Sequence, residues 1–208
     1  IHAMTDAFVA AAKRSLEAGY QLIEIHGAHG YLLHSFFTPL VNTRTDEYGG
    51  DFEGRSRFMR ETVAAVRAVW PERLPLAVRL SVTDWIEGGL TIEDNIQMAN
   101  ALKDLGVDIV DCSGGGATPL ARASVGTRTA DQVGLAAQLR RETGVITAAV
   151  GCITDAKQAE AIIASGQADI ALMAREHLRD PHVAMRMARE LDVSAKDHLP
   201  QQLGFYVG

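Results

Sequence analysis

From one end of the chain to the other, short apolar runs rich in β-branched residues alternate with segments of helical periodicity, and that alternation restricts the possible folds most. Five runs read as strands: 21–26 (QLIEIH), 76–81 (LAVRLS), 108–113 (DIVDCS), 145–151 (VITAAVG) and 169–175 (DIALMAR). A helix precedes each. The first carries Phe8, Val9, Ala12 and Leu16 on one stripe and stops at Gly19; the second, over 58–70, spaces Met59, Val63, Val66 and Trp70 along one face and ends at Pro71. The third, over 91–105, opens on Thr91 with Asp94 three residues later, a carboxylate version of the capping box, and closes at Gly106. Helices over 130–143 and 155–165, closed by Gly144 and Gly166, and a last one over 181–191 complete the pattern.

Strands separated by helices are parallel, because parallel neighbours need a crossover and every crossover here is helical. The class is α/β. A doubly wound sheet and a parallel barrel both satisfy the pattern, and two features favour the barrel. No glycine-rich phosphate loop joins a first strand to a first helix, and polar side chains stand within or just after every strand: His26, Arg79 and Ser81, Asp111 and Ser113, Gly151, Arg175. A complete (β/α) TIM-barrel has eight units. The expectation is therefore the last five βα units of eight, with residues 1–208 as one domain and three strands absent from the front.

The charge balance narrows the partners. Twenty Lys and Arg against 26 Asp and Glu leave −6, which repels phosphate backbones and anionic membranes and argues against nucleic acid and membrane partners. No apolar run reaches a membrane span and no signal-peptide pattern opens the chain, so a cytoplasmic location is expected. Cys112 and Cys152 are 40 positions apart, no metal spacing, and read as small core residues.

Four groups of residues carry possible chemistry. His26-Gly27-Ala28-His29-Gly30-Tyr31 follows the first strand, and two histidines three apart, flanked by glycines, can aim two N–H donors at one acceptor oxygen. A metal pair extended by His34, or solvated loop histidines, are the alternatives. Arg79 sits inside LAVRLS, where burial is costly without an anionic or electron-rich partner; Glu24 or an electron-rich cofactor atom would serve. Gly151 and Arg175 at the ends of the last two strands suit a phosphate cradle, or else a turn glycine and a surface arginine. In the loop over 27–54, Arg44, Asp46 and Arg55 are expected to lock a scaffold that holds the histidines, with Tyr48-Gly49-Gly50 as turn chemistry.

The segment EIHGAHGYLLHSFFTPLVNTRTDEYGGDFEGRSRF, with its two histidines, its tyrosine and its N-x-R-x-D-x-Y-G-G, resembles the Old Yellow Enzyme family of flavin-dependent ene-reductases. The likeness continues through VRLS, TDWIEGGLT, DIVDCSGGG, AVGCIT and AREHLRDP, and is greatest to the xenobiotic-reductase branch. It implies a TIM barrel binding FMN, with NAD(P)H as reductant and an α,β-unsaturated carbonyl compound as substrate. His26 and His29 would hydrogen-bond the substrate carbonyl, and Tyr31 would stand where the family keeps its proton donor. Arg79 would hold the N1/O2 edge of the isoalloxazine, and Val150, Gly151, Ala174 and Arg175 the phosphate. No metal is implied. The sequence departs from the family pattern at Ala174-Arg175 in place of Gly-Arg, at Glu53-Gly54-Arg55 in place of Glu-Asn-Arg, and at 201–208 (QQLGFYVG), which lacks the arginine or tryptophan of several relatives. The family's first three strands have no counterpart, so the chain covers about the C-terminal three-fifths of the pattern and is expected to need the missing half or an oligomeric partner. Two other readings remain: a non-catalytic partial barrel acting as an assembly or interaction fragment, and a metal-dependent hydrolase built on His26, His29 and Asp111.

Overall fold

The computed structural model describes residues 1–119 and 129–194. The C-terminal run 201–208 lies outside them. Five strands appear where the apolar runs place them: β1 (Ile23–Gly27), β2 (Leu76–Ser81), β3 (Ile109–Ser113), β4 (Ile146–Val150) and β5 (Ile170–Leu172). The helices are α1 (His2–Glu17), α2 (Leu32–Phe37), α3 (Phe52–Arg67), α4 (Ile92–Asp104), α5 (Thr129–Thr143), α6 (Ala156–Ala164), α7 (Arg175–Arg179) and α8 (Val183–Glu190). The capping box at Thr91 forms, with the Asp94 N–H donating to Thr91 Oγ1 and the Thr91 N–H to Asp94 Oδ2.

The sheet is parallel throughout, in the order β1-β2-β3-β4-β5. This order decides between the two α/β architectures. A doubly wound sheet reverses at a switch point, whereas a sheet that grows in one direction by right-handed crossovers collects its helices on one face, as a barrel wall does. Val78, Leu80, Val110, Cys112 and Ala149 face those helices and build the main core with Phe58, Met59, Val63, Met98, Leu102 and Leu139. The opposite, inner face carries a small apolar patch of Ala77, Ile109, Ala148, Ile170 and Leu172, beside charged residues of the first three strands.

The structure departs from the sequence reading in four places. The long loop contains a short helix, α2, and α3 begins at Phe52, with Asp51 accepting the Gly54 N–H as N-cap. Phe52 packs edge-on against Phe37 at 5.8 Å, a long-range contact that local periodicity cannot show. β5 stops at Leu172, the last residue paired with β4; Ala174 then turns into the α-region and Arg175 opens α7 instead of ending a strand. Cys112 is buried as expected, but Cys152 is exposed.

One clamp occurs twice at the N-terminal ends of the strands. Asp108, just before β3, accepts the Leu76 N–H at 2.8 Å and returns its own N–H to Leu76 O at 2.9 Å. Arg67 of α3 spans Gly106 O and the Asp108 carboxylate. Asp169, just before β5, does the same with Thr147, and Arg140 of α5 spans Gly166 O and Asp169. Each clamp ties a strand's start to its neighbour and to a helix, which fixes the register. Asp108→Ala leaves the Leu76 N–H without its carboxylate partner and is expected to cost about 1–3 kcal/mol in urea denaturation.

Candidate active site

The register places His26, Arg79 and Asp111 in one row across β1, β2 and β3. Side chains alternate along a strand, so all three project to the inner face. Arg79 Nε lies 3.0 Å from Asp111 Oδ2, with the Asp111 side chain 2% and the Arg79 side chain 27% exposed. The partner of this half-buried arginine is thus Asp111 of the next strand. Glu24 stands within electrostatic range: its carboxyl is raised by burial, against which Arg79 pulls it down. Asp111 is pushed up to about 7, chiefly by burial; Arg79 lowers it and Glu24 raises it further.

The histidines come together at the C-terminal end of β1. The His26 ring is 5.2 Å from that of His29 and 5.3 Å from that of Tyr31, centroid to centroid. Tyr31, 61% exposed, caps α2. His26 is pushed below its ordinary value by burial, then by Arg79 and by His34, so it is a neutral imidazole at neutral pH with one N–H to give. His29 differs from the expectation of two donors aimed at a common oxygen, because its Nε2 lies 2.6 Å from Ser113 Oγ.

The turn that aims these rings is held in a left-handed conformation, with His29 at φ 61° and Gly30 at φ 76°. A side chain on Gly30 would strike Gly116 O, and one on Gly116 would strike the His29 backbone, so the loops after β1 and β3 interlock through bare glycines. Ser81 joins them: its hydroxyl accepts the His29 N–H at 3.0 Å and donates to Gly115 O at 2.8 Å. Below the turn, the fully buried His34 accepts the Gly30 N–H on Nδ1 at 2.8 Å, which assigns the proton to Nε2, 3.3 Å from Asp84 Oδ1. Asp84 Oδ2 accepts from Thr38 Oγ1 at 2.5 Å and Leu90 N at 2.9 Å. Burial raises the Asp84 carboxyl, but the close His34 imidazole and the hydrogen bonds from Thr38 and Leu90 outweigh it and hold the group below its usual value.

His34 is therefore an anchor of the turn, and among the described residues no three His, Cys, Asp or Glu side chains group closely enough to hold a metal ion. The outer loop is the expected scaffold. Arg44 forks onto Asp46, Asn42 Nδ2 donates to Tyr48 O at 2.8 Å, and Arg55 reaches Phe37 O and Gly50 O. Gly54 presses so closely on Gly49 O that any side chain would collide. Asp84, Ser81 and Ser113 do structural work that the motif reading did not assign; strand parity with Arg79 and Asp111 is the signal that finds the two serines.

At the far side of the sheet, Val150, Gly151, Cys152, Ala174, Arg175 and Arg179 line a cleft of about 180 Å³. Gly151 has φ 117°, and Arg175 Nη2 reaches Cys152 Sγ at 3.4 Å. The four residues expected to bind phosphate do share one cleft.

The family model for the NADH:flavin oxidoreductase / NADH oxidase family matches residues 1–193. The chain belongs to that family. Among its members, the NADPH dehydrogenase of Bacillus velezensis is 46% identical over 185 residues, covering 89% of this chain and 53% of the relative. The NADPH dehydrogenase of a Geobacillus species is 43% identical over 199 residues, covering 96% and 57%. The chain thus spans about half the length of these relatives. A 2-naphthoyl-CoA reductase in complex with 2-naphthoyl-CoA superposes with a TM-score of 0.83 at 28% identity, over 91% of this chain and 29% of the other. The Old Yellow Enzyme homologue of Zymomonas mobilis gives 0.70 at 25%, over 90% and 51%.

Two outcomes test this geometry. His34→Leu strands the buried Asp84 carboxylate, and a loss of about 3–5 kcal/mol is expected on chemical denaturation. Asp111 is raised in the folded state, so between its unfolded value near 4 and about 7 the native protein binds more protons than the unfolded chain. Its contribution to stability falls as pH rises through that window. Asp111→Asn removes this dependence, so the variant gains stability relative to wild type from pH 4 to 7 in paired thermal melts.

Proposed function

We propose that this chain forms the substrate side and the phosphate end of an FMN-dependent ene-reductase that reduces the C=C bond of α,β-unsaturated carbonyl compounds with NAD(P)H. The observation that carries this reading is the convergence of His26, His29 and Tyr31 above the strand end of the row holding Arg79. The chain's groups suit a flavin nucleotide. Among the described residues the Arg79 side chain makes no hydrogen bond, only the ion pair through Nε, which leaves its Nη groups on the inner face for an electron-rich ring edge. The cleft at Gly151 and Arg175 lies two to three strand spacings away, roughly 10–14 Å, a span suited to a ribityl chain.

Bound FMN would supply the hydride that the β-carbon receives. The protein's own residues do the rest. Arg79 would hold an electron-rich edge of the ring through its Nη groups, while Val150, Gly151, Ala174 and Arg175 would hold the phosphate. His26 gives its N–H to the substrate carbonyl, and the same oxygen takes the place of Ser113 Oγ beside His29. Donors fixed where negative charge develops are worth about 3–4 kcal/mol each. Tyr31, exposed and in contact with His26, delivers the proton to the α-carbon.

With the FMN-loaded protein and 2-cyclohexenone, His26→Ala and His29→Ala are each expected to lower kcat/KM by about 10²–10³, and Tyr31→Phe to slow turnover while FMN binding stays intact. Unchanged rates in both histidine variants overturn the proposal. Among the described residues the sheet edges β1 and β5 are unpaired, which favours a second reading, a non-catalytic assembly fragment. A colourless oligomer supports that one, and a preparation that retains yellow FMN supports the enzyme.

A further inference from the structure

Asp111 is the one charged member of the inner-face row to which the proposed chemistry gives no task. Its side chain is 2% exposed, its Oδ2 meets Arg79 Nε, and its Oδ1 has no hydrogen-bond partner. A carboxylate so placed is costly, and the pair it makes is a single contact rather than the two-pronged fork that arginine offers. Standing 3.0 Å from Nε, the inner nitrogen of the fork, as an ion pair outside hydrogen-bond geometry, it draws the guanidinium toward β3 and leaves both Nη groups to a ligand.

We propose that Asp111 is a positioning residue that sets both the orientation and the net charge which Arg79 presents to the ring edge of FMN. With Asp111 ionised, the pair is neutral. With Asp111 protonated, the guanidinium charge stands uncompensated. The inference rests on the reading that Arg79 holds that edge.

The surroundings decide where the switch falls. Burial brings the Asp111 carboxyl to about 7, with Arg79 of β2 pulling it down and Glu24 of β1 pushing it up. His26 of β1, the other titratable group of the row, is lowered by burial, Arg79 and His34 and stays neutral. β4 offers only Ala148 at the matching position. Two-electron reduction of bound FMN with uptake of one proton leaves a negative charge on the ring edge. That charge draws a further proton from solvent onto Asp111, so reduction takes up more than one proton in the window where Asp111 titrates.

The test is the midpoint potential of protein-bound FMN between pH 5.5 and 8.5, by spectroelectrochemical titration of wild type, Asp111→Asn, Glu24→Gln and Arg79→Gln, with FMN affinity from fluorescence. In wild type the potential is expected to fall more steeply with pH near neutrality, with a bend on either side. Asp111→Asn straightens the line. Glu24→Gln, which leaves the pair in place and keeps the test available should Asp111→Asn fold poorly, moves the bend to lower pH. Superimposable lines for wild type and Asp111→Asn, or an unmoved bend in Glu24→Gln, overturn the proposal. An Arg79→Gln protein whose FMN affinity and potential match wild type instead overturns the placement of the ring edge on Arg79, and the two failures are told apart by which variant is silent.

Discussion

The parallel register between β1, β2 and β3 is the constraint on which the rest of the molecule depends. Side chains alternate faces along a strand, so a slip of one residue in β2 would send Arg79 into the helix-packed core and bring Val78 or Leu80 to the inner face. Burying an unpaired guanidinium among Phe58, Met59 and Met98 is prohibitive. The Asp108 clamp, tied to Leu76 N and Arg67, holds that register at the opposite end of the strands from the histidines. The row His26, Arg79, Asp111 is therefore fixed from below, by groups far from any ligand.

Two acid–base pairs with buried carboxylates serve the site, and their contrast shows what governs such a group. Asp84 receives Thr38, the Leu90 N–H and His34, and its carboxyl sits below its usual value despite burial. Asp111 has Arg79 alone on one oxygen and nothing on the other, and burial carries it up to about 7. Donors aimed at the charged form decide the sign of the shift more than burial does. The first pair is suited to rigid support beneath the Gly30 turn, and the second keeps a proton that can come and go.

The relatives reach over nearly all of this chain, yet the chain spans about half of theirs. The described sheet has two edges and an inner face whose apolar patch is partly open, Ile170 and Leu172 being half-buried. The charged row and the cleft at Gly151 are both built from residues of the five βα units.

Much of this was legible in the residues alone. Period-two and period-3.6 patterns placed all five strands to within a few residues, because burial on one face imposes those periods on any chain. Gly19, Gly106, Gly144 and Gly166 marked helix ends, all four at positive φ, and an arginine inside LAVRLS announced a partner. The identity of that partner was not legible: Glu24 and Asp111 share the required parity, and only the ladder shows that Asp111 stands opposite. Helix α2, the early start of α3, and the roles of Asp84 and Ser113 were hidden for the same reason. Each is set by contacts between segments 15 to 84 residues apart, such as Phe37 with Phe52 and His29 with Ser113. Local pattern determines which face a residue occupies; which residues meet on that face is decided by the register and loop closure of the folded sheet.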